Sequence, residues 1–233
     1  MVFQKKQKSK KLNKLFLRAV AVLCFVLACT ITNAQPFASE IAAFKKQDSV
    51  SFPPANAILF VGSSSFRMWK DVQEYFPGYT IINRGFGGSA FPDVIRYERD
   101  IIFPYTPAQI VIYCGENDIA GDTSVTGKIV FERFKQLYWQ IRKNLMNVPV
   151  IYISMKPSPS RWGMRDKMKE GNELIEKFLG KKKRHAAFVN VWDAMLGPDG
   201  KPMPDIFLQD KLHMNAKGYS IWQKIIQPYL IRN

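Results

Sequence analysis

The chain has 233 residues, of which 47% are hydrophobic and 23% charged. That composition excludes a disordered chain, and the length suits one domain, or two small ones, with a substantial core. The formal net charge of +15 is not uniform: seven basic and no acidic residues precede Gln35, which leaves 27 basic against 19 acidic residues beyond it, or +8. A charge of +8 is not by itself a nucleic-acid signature.

The basic excess at the start has a pattern. Lys5, Lys6, Lys8, Lys10, Lys11 and Lys14 precede an apolar run from Leu15 to Ile31, and Thr32-Asn33-Ala34 ends in small residues. These are the three regions of a secretory signal, with cleavage expected after Ala34. Residues 1–34 are therefore expected to be a signal peptide and residues 35–233 the working domain, secreted or periplasmic. The alternative is a lipid box at Val26-Leu27-Ala28-Cys29, which would anchor the chain through Cys29. An uncleaved anchor is a third possibility. The run is short and interrupted for a membrane span, so no stable insertion is expected once the signal is gone.

Beyond the signal, a short helix is expected over Ser39–Lys46, before Pro53-Pro54. The chain then alternates. Ala57–Val61, Tyr79–Asn83, Ala108–Cys114, Pro149–Ser154 and Ala187–Val191 read as short apolar strands. Between and after them, Phe66–Phe76, Pro92–Phe103, Val125–Met146, Arg165–Gly180 and Asn215–Ile231 read as helices. Asn215 is the expected cap of the last one. Nearly continuous apolar strands alternating with helices predict a five-stranded parallel sheet covered on both faces, a three-layer α/β/α sandwich. Cys114, the one cysteine after the signal, is expected to be a buried small hydrophobe with no disulfide partner in the mature chain. The run Lys181–His185 reads as a solvated helix end, with an anionic partner as the sharper alternative.

Ligands in such sheets bind beyond the carboxyl ends of the strands, and that rule selects Gly62–Ser65, Asn83–Ser89, Gly115–Asp118, Lys156–Trp162 after the fourth strand and the region from Trp192 to His213 after the fifth. Gly62-Ser63-Ser64-Ser65 follows the first strand, where a serine hydroxyl and an N–H can face one space; a plain Gly/Ser helix cap fits the same residues. Gly85, Gly87 and Gly88 follow the second strand and lack the spacing of a phosphate loop. Gly115-Glu116-Asn117-Asp118 follows the third, where Asn117 offers an amide donor or a simple turn. Asp210-Lys211-Leu212-His213 precedes the last helix, at a spacing that lets the carboxylate reach one imidazole nitrogen. Zinc ligation is the alternative use of Asp210 and His213, and two ligands are fewer than a catalytic zinc normally takes. No metal or organic cofactor is expected.

As a set, from Ala57 to the C-terminus, these segments resemble the SGNH hydrolases, also called GDSL-type esterases, named for a Ser, a Gly, an Asn and a His in four blocks. The resemblance implies a flavodoxin-like fold with Ser64 as nucleophile, Asp210 and His213 as acid and base, and an oxyanion hole of the Ser64 and Gly88 N–H groups and the Asn117 amide. It also implies a small-molecule or glycan ester as substrate, with no nucleic-acid partner. One departure stands out: the usual Gly-Asp-Ser reads Gly62-Ser63-Ser64. An acetyl or other short acyl group on a glycan is the expected substrate, with Trp162, after the fourth strand, available to stack on a sugar or to pack at the rim. An acyltransferase with the same groups, or a non-catalytic glycan-binding module of the same fold, are the alternatives.

Overall fold

A computed structural model of the chain describes residues 35–182 and 185–232. The expected signal segment, Cys29 included, and Lys183 and Arg184 of the basic run lie outside these residues.

Five strands, β1 (Ile58–Gly62), β2 (Ile81–Gly85), β3 (Gln109–Tyr113), β4 (Val150–Ile153) and β5 (Ala186–Val189), form one parallel sheet in the order β2-β1-β3-β4-β5. The helices are α1 (Ala38–Val50), α2 (Ser64–Met68), α3 (Val72–Tyr75), α4 (Phe91–Ile101), α5 (Glu116–Gly121), α6 (Gly127–Asn144), α7 (Arg165–Gly180) and α8 (Ala216–Ile226). Alternate residues of the strands point to opposite faces, and the core divides accordingly. Leu59, Val61, Ile110, Ile112 and Tyr152 pack with residues of α1, α4, α6 and α7. Ile58, Phe60, Val111, Tyr113, Ile151 and Ile153 pack with residues of α2, α3 and α8. The fold is the three-layer α/β/α sandwich expected from the sequence, and β1 and β3 are fully buried because helices cover both faces.

Strand order reverses at β1, between β2 and β3, which opens the crevice where such folds bind ligands. Gly62 makes the turn at that crevice possible. Its φ is +140°, and a Cβ there would stand 1.9 Å from the Tyr113 carbonyl oxygen. β1 can thus end against β3, with the Ser63 N–H donating to that same carbonyl at 2.9 Å.

Two sequence expectations are corrected. Phe66–Phe76 is two short helices rather than one. The chain turns at Trp69 and buries its indole, which stacks on Tyr219 at 4.7 Å between ring centroids. Spacing alone could not show this, because Phe66, Trp69, Val72 and Phe76 keep near-helical intervals across the break. Gly115–Asp118 is not a simple turn but opens a helix, α5. Other expected features hold: Cys114 is buried, His185 is exposed, and the Asn215 side chain caps α8 by accepting from the Lys217 and Gly218 N–H groups at 3.0 and 3.3 Å.

Candidate active site

Ser64 is the first residue of α2, immediately beyond β1. Its neighbours Ser63 and Ser65 are buried, while Ser64 is partly exposed. Asn83, in the middle of β2, holds this short helix: its amide donates to the Phe66 carbonyl at 2.7 Å and to that of Trp69 at 3.3 Å. The Tyr219 hydroxyl donates to the Ser65 carbonyl at 2.8 Å. As the first helical residue, Ser64 has an N–H with no acceptor inside the helix.

The loop before α8 brings an imidazole to this serine. His213 Nε2 lies 2.9 Å from Ser64 Oγ, and His213 Nδ1 lies 2.6 Å from Asp210 Oδ2. The second Asp210 oxygen accepts from the backbone N–H groups of Leu212 and His213, each at 2.9 Å. Burial pushes the Asp210 carboxyl upward. The His213 ring and the two backbone donors outweigh that effect and bring it down to about 2. An ionised carboxylate accepts and cannot donate, so the Nδ1 facing it carries a proton, and in the neutral ring Nε2 then presents its lone pair to Ser64.

The glycine and asparagine segments join this pair through Ser89, which is fully buried. Its hydroxyl donates to the Gly62 carbonyl at 3.1 Å, and its carbonyl accepts from Asn117 Nδ2 at 2.9 Å. One residue thus ties the turn before Ser64 to the amide after β3. Gly88 precedes it, exposed and in the left-handed region at φ +75°, where an L side chain would be strained.

Sequence reasoning missed a set of charged residues behind Asn117. Glu116 is buried and paired with Lys156 at 3.2 Å and Arg161 at 3.2 Å, and it accepts the Tyr113 hydroxyl proton in a short hydrogen bond. Burial pushes the Lys156 ammonium down, opposed by Glu116. The next residue after Asn117, Asp118, is also buried; it binds the Phe91 N–H at the start of α4 and Arg133 of α6. α1 contributes as well. Glu40 pairs with Arg67 of α2 at 2.7 Å and accepts the Gly87 N–H at 3.3 Å, while Phe37 packs edge-on against Phe86. None of these polar contacts has a periodic signal in the sequence, and all but the Tyr113–Glu116 bond join residues 15 or more positions apart.

Trp162 sits on a 3₁₀ turn, Pro159–Met164, after β4. It is half-buried, stacks on Trp192 at 6.3 Å, and has the Arg165 guanidinium 5.4 Å from its ring centroid. Among the described residues, no three His, Cys, Asp or Glu side chains gather where they could hold a metal ion, and no helix is long and apolar enough to cross a membrane.

Residues 57–221 match the GDSL-like lipase/acylhydrolase family, and that span is well over half of the chain. The chain belongs to that family. Solved structures agree in fold. A Streptococcus pneumonia protein named provisionally for platelet activating factor superposes with a TM-score of 0.72 at 20% identity, over 91% of this chain and 99% of its own. A GDSL-like lipase from Bacteroides thetaiotaomicron gives 0.68 at 22%, over 81% and 96%. A catalytic mutant of an acetylxylan esterase from Geobacillus stearothermophilus gives 0.59 at 15%, over 76% and 94%. No curated protein matches the sequence. In this GDSL-like hydrolase, Ser63 takes the place of the usual Asp. Its side chain makes no capping bond, while its backbone carbonyl accepts from Phe66 and Arg67. The position serves the turn through its backbone. α1, with Phe37 and Glu40, lies outside the matched span yet braces two of its segments.

Proposed function

We propose that this hydrolase is a serine esterase in which Ser64, His213 and Asp210 act as one unit. The observation that carries the reading is the His213 ring, bonded to Ser64 Oγ through one nitrogen and to the Asp210 carboxylate through the other. Nε2 accepts the Ser64 proton as Oγ bonds to the acyl carbon, and Asp210 stabilises the imidazolium so formed. The carbonyl oxygen becomes an oxyanion bound by the Ser64 and Gly88 N–H groups and the Asn117 amide. The tetrahedral adduct collapses as the imidazolium passes its proton to the departing alkoxide. Water then attacks the acyl-enzyme, giving its proton to His213, and the second adduct releases the acid and returns the proton to Ser64.

The substrate we assign is a carboxylic ester with a short acyl group, such as acetate on a glycan. The acetylxylan esterase relationship supports that class, and Trp162, on the turn beside Asn117's partner Arg161, is the aromatic we assign to the sugar. The basic and apolar leader supports export, with lipidation at Cys29 as the alternative.

Hydrolysis of p-nitrophenyl acetate tests the nucleophile. Ser64→Ala should abolish it, while Ser63→Ala and Ser65→Ala in folded protein should retain it. Activity that survives in Ser64→Ala and vanishes in either neighbour would overturn the assignment.

A further inference from the structure

Asn117 can serve an oxyanion only if its amide presents nitrogen, not oxygen, to the cleft. A side-chain amide has two orientations of almost identical shape, so something must choose between them. Two neighbours do. Arg161 Nη2 donates to Asn117 Oδ1 at 2.7 Å, and Asn117 Nδ2 donates to the Ser89 carbonyl at 2.9 Å. A guanidinium has donors and no acceptor, and a carbonyl oxygen accepts and cannot donate. Reversing the amide would set its NH₂ group against the guanidinium and its oxygen against the carbonyl. The observed orientation uses one Nδ2 hydrogen at Ser89 and leaves the second.

The guanidinium is itself anchored. Arg161 Nη1 donates to Glu116 Oε2 at 3.2 Å. That carboxylate is held from beneath by the Lys156 ammonium, at 3.2 and 3.3 Å from its two oxygens, by the Lys156 N–H at 3.2 Å and by the Tyr113 hydroxyl. Glu116 and Lys156 side chains are 4% and 1% exposed. Burying such a pair costs desolvation that the attraction does not reliably return, so stability alone is a poor reason for it. What it provides is a guanidinium with one fixed place. The same turn also reaches the base: Ser160 donates through its N–H and its hydroxyl to the Lys211 carbonyl, at 3.1 and 2.9 Å, between Asp210 and His213.

We propose that Arg161 is a positioning residue: anchored on buried Glu116, it holds the Asn117 amide with Nδ2 toward the oxyanion, while Ser160 ties the same turn to the Asp210–His213 loop. The proposal rests on the oxyanion role assigned to Asn117.

A double-mutant cycle tests it. Arg161→Met and Arg161→Lys are made alone and together with Asn117→Ala. Steady-state hydrolysis of p-nitrophenyl acetate is measured, and thermal melts check folding. Arg161→Met should lower kcat by ~10–100-fold with KM within about 3-fold, since the lost interaction matters in the transition state. In the Asn117→Ala background the same change should cost less than about 3-fold, because no amide remains to orient. Arg161→Lys should fall between wild type and Arg161→Met, as one ammonium cannot fork between Glu116 and Asn117. If Arg161→Met does not fold, Arg161→Lys carries the cycle with the same expected coupling. A normal loss for Asn117→Ala combined with an additive loss, or none, for the Arg161 change would overturn the role of Arg161 alone. An Asn117→Ala enzyme with unchanged kcat would overturn the oxyanion assignment, and the role of Arg161 with it.

Discussion

Ser64 and His213 meet in one hydrogen bond, but the two sides of that bond are built differently. Ser64 stands on a buried frame: β1 is enclosed on both faces, Ser63 and Ser65 are buried, and Gly62 fits against the backbone of β3. Asp210 and His213 stand on a loop whose side chains are 47% and 21% exposed. That loop is shaped by hydrogen bonds: Leu208 N–H to the His213 carbonyl, Lys211 N–H to the Leu208 carbonyl, and Ser160 from the turn after β4. Packing places Ser64, and a hydrogen-bonded loop places His213. A close-packed interior resists displacement, whereas an exposed loop keeps its shape only while its polar partners are present. The two sides should therefore fail in different ways.

The largest effect is expected at the base. His213→Ala should lower kcat for p-nitrophenyl acetate by roughly 10³-fold or more, and Asp210→Ala by somewhat less. The double variant should be about as slow as His213→Ala alone, since Asp210 then has nothing to orient. Losses that multiply would mean that the loop residues act separately. Melting temperatures should change little in either variant, because neither side chain lies in the core.

Asn117→Ala should cost roughly 10²–10³-fold in kcat with KM nearly unchanged, as for other oxyanion donors. A change confined to KM would make Asn117 a ground-state binding residue.

Gly62→Ala probes the packed side. A Cβ 1.9 Å from a backbone oxygen, on a residue at φ +140°, cannot be accommodated without moving β1 or β3. The variant should lose about 3 kcal/mol or more of stability, and activity should fall with it, because Ser64 and Asn117 follow the two strands that must move. A Gly62→Ala protein with a normal melt and no activity would show that Gly62 acts on the chemistry directly.

The smallest effect is one of pH. Asp210 is brought down to about 2, below the ~3.9 expected when unfolded. Its stabilising contribution is present above about pH 4 and is lost as pH falls toward about 2. With this side chain 47% exposed, solvent screening keeps that contribution small. For activity, the consequence is that the Asp210 carboxyl stays ionised until pH approaches about 2, so it should add no step to kcat/KM above about pH 4. A step above pH 4 that disappears in Asp210→Asn would show that the carboxyl titrates there.

The sheet was legible in the sequence because β1, β3 and β4 are buried on both faces and read as unbroken apolar runs. The segments at the strand ends were legible because the fold puts such ends at one crevice. What stayed hidden followed from two physical causes. A break in a helix that keeps its apolar spacing, as at Trp69, leaves no trace in periodicity. Buried charge has no period at all: Glu116 follows β3, Lys156 and Arg161 follow β4, and only the folded chain shows that they lie behind Asn117.

The central claim is that Ser64 is a nucleophile activated by His213. Fluorophosphonate labelling followed by mass-spectrometric mapping tests it most directly. The account predicts a single adduct on Ser64 in the wild-type protein, slowed by orders of magnitude in folded His213→Ala. An adduct on Ser63 or Ser65, or labelling of Ser64 at an unchanged rate without His213, would contradict it.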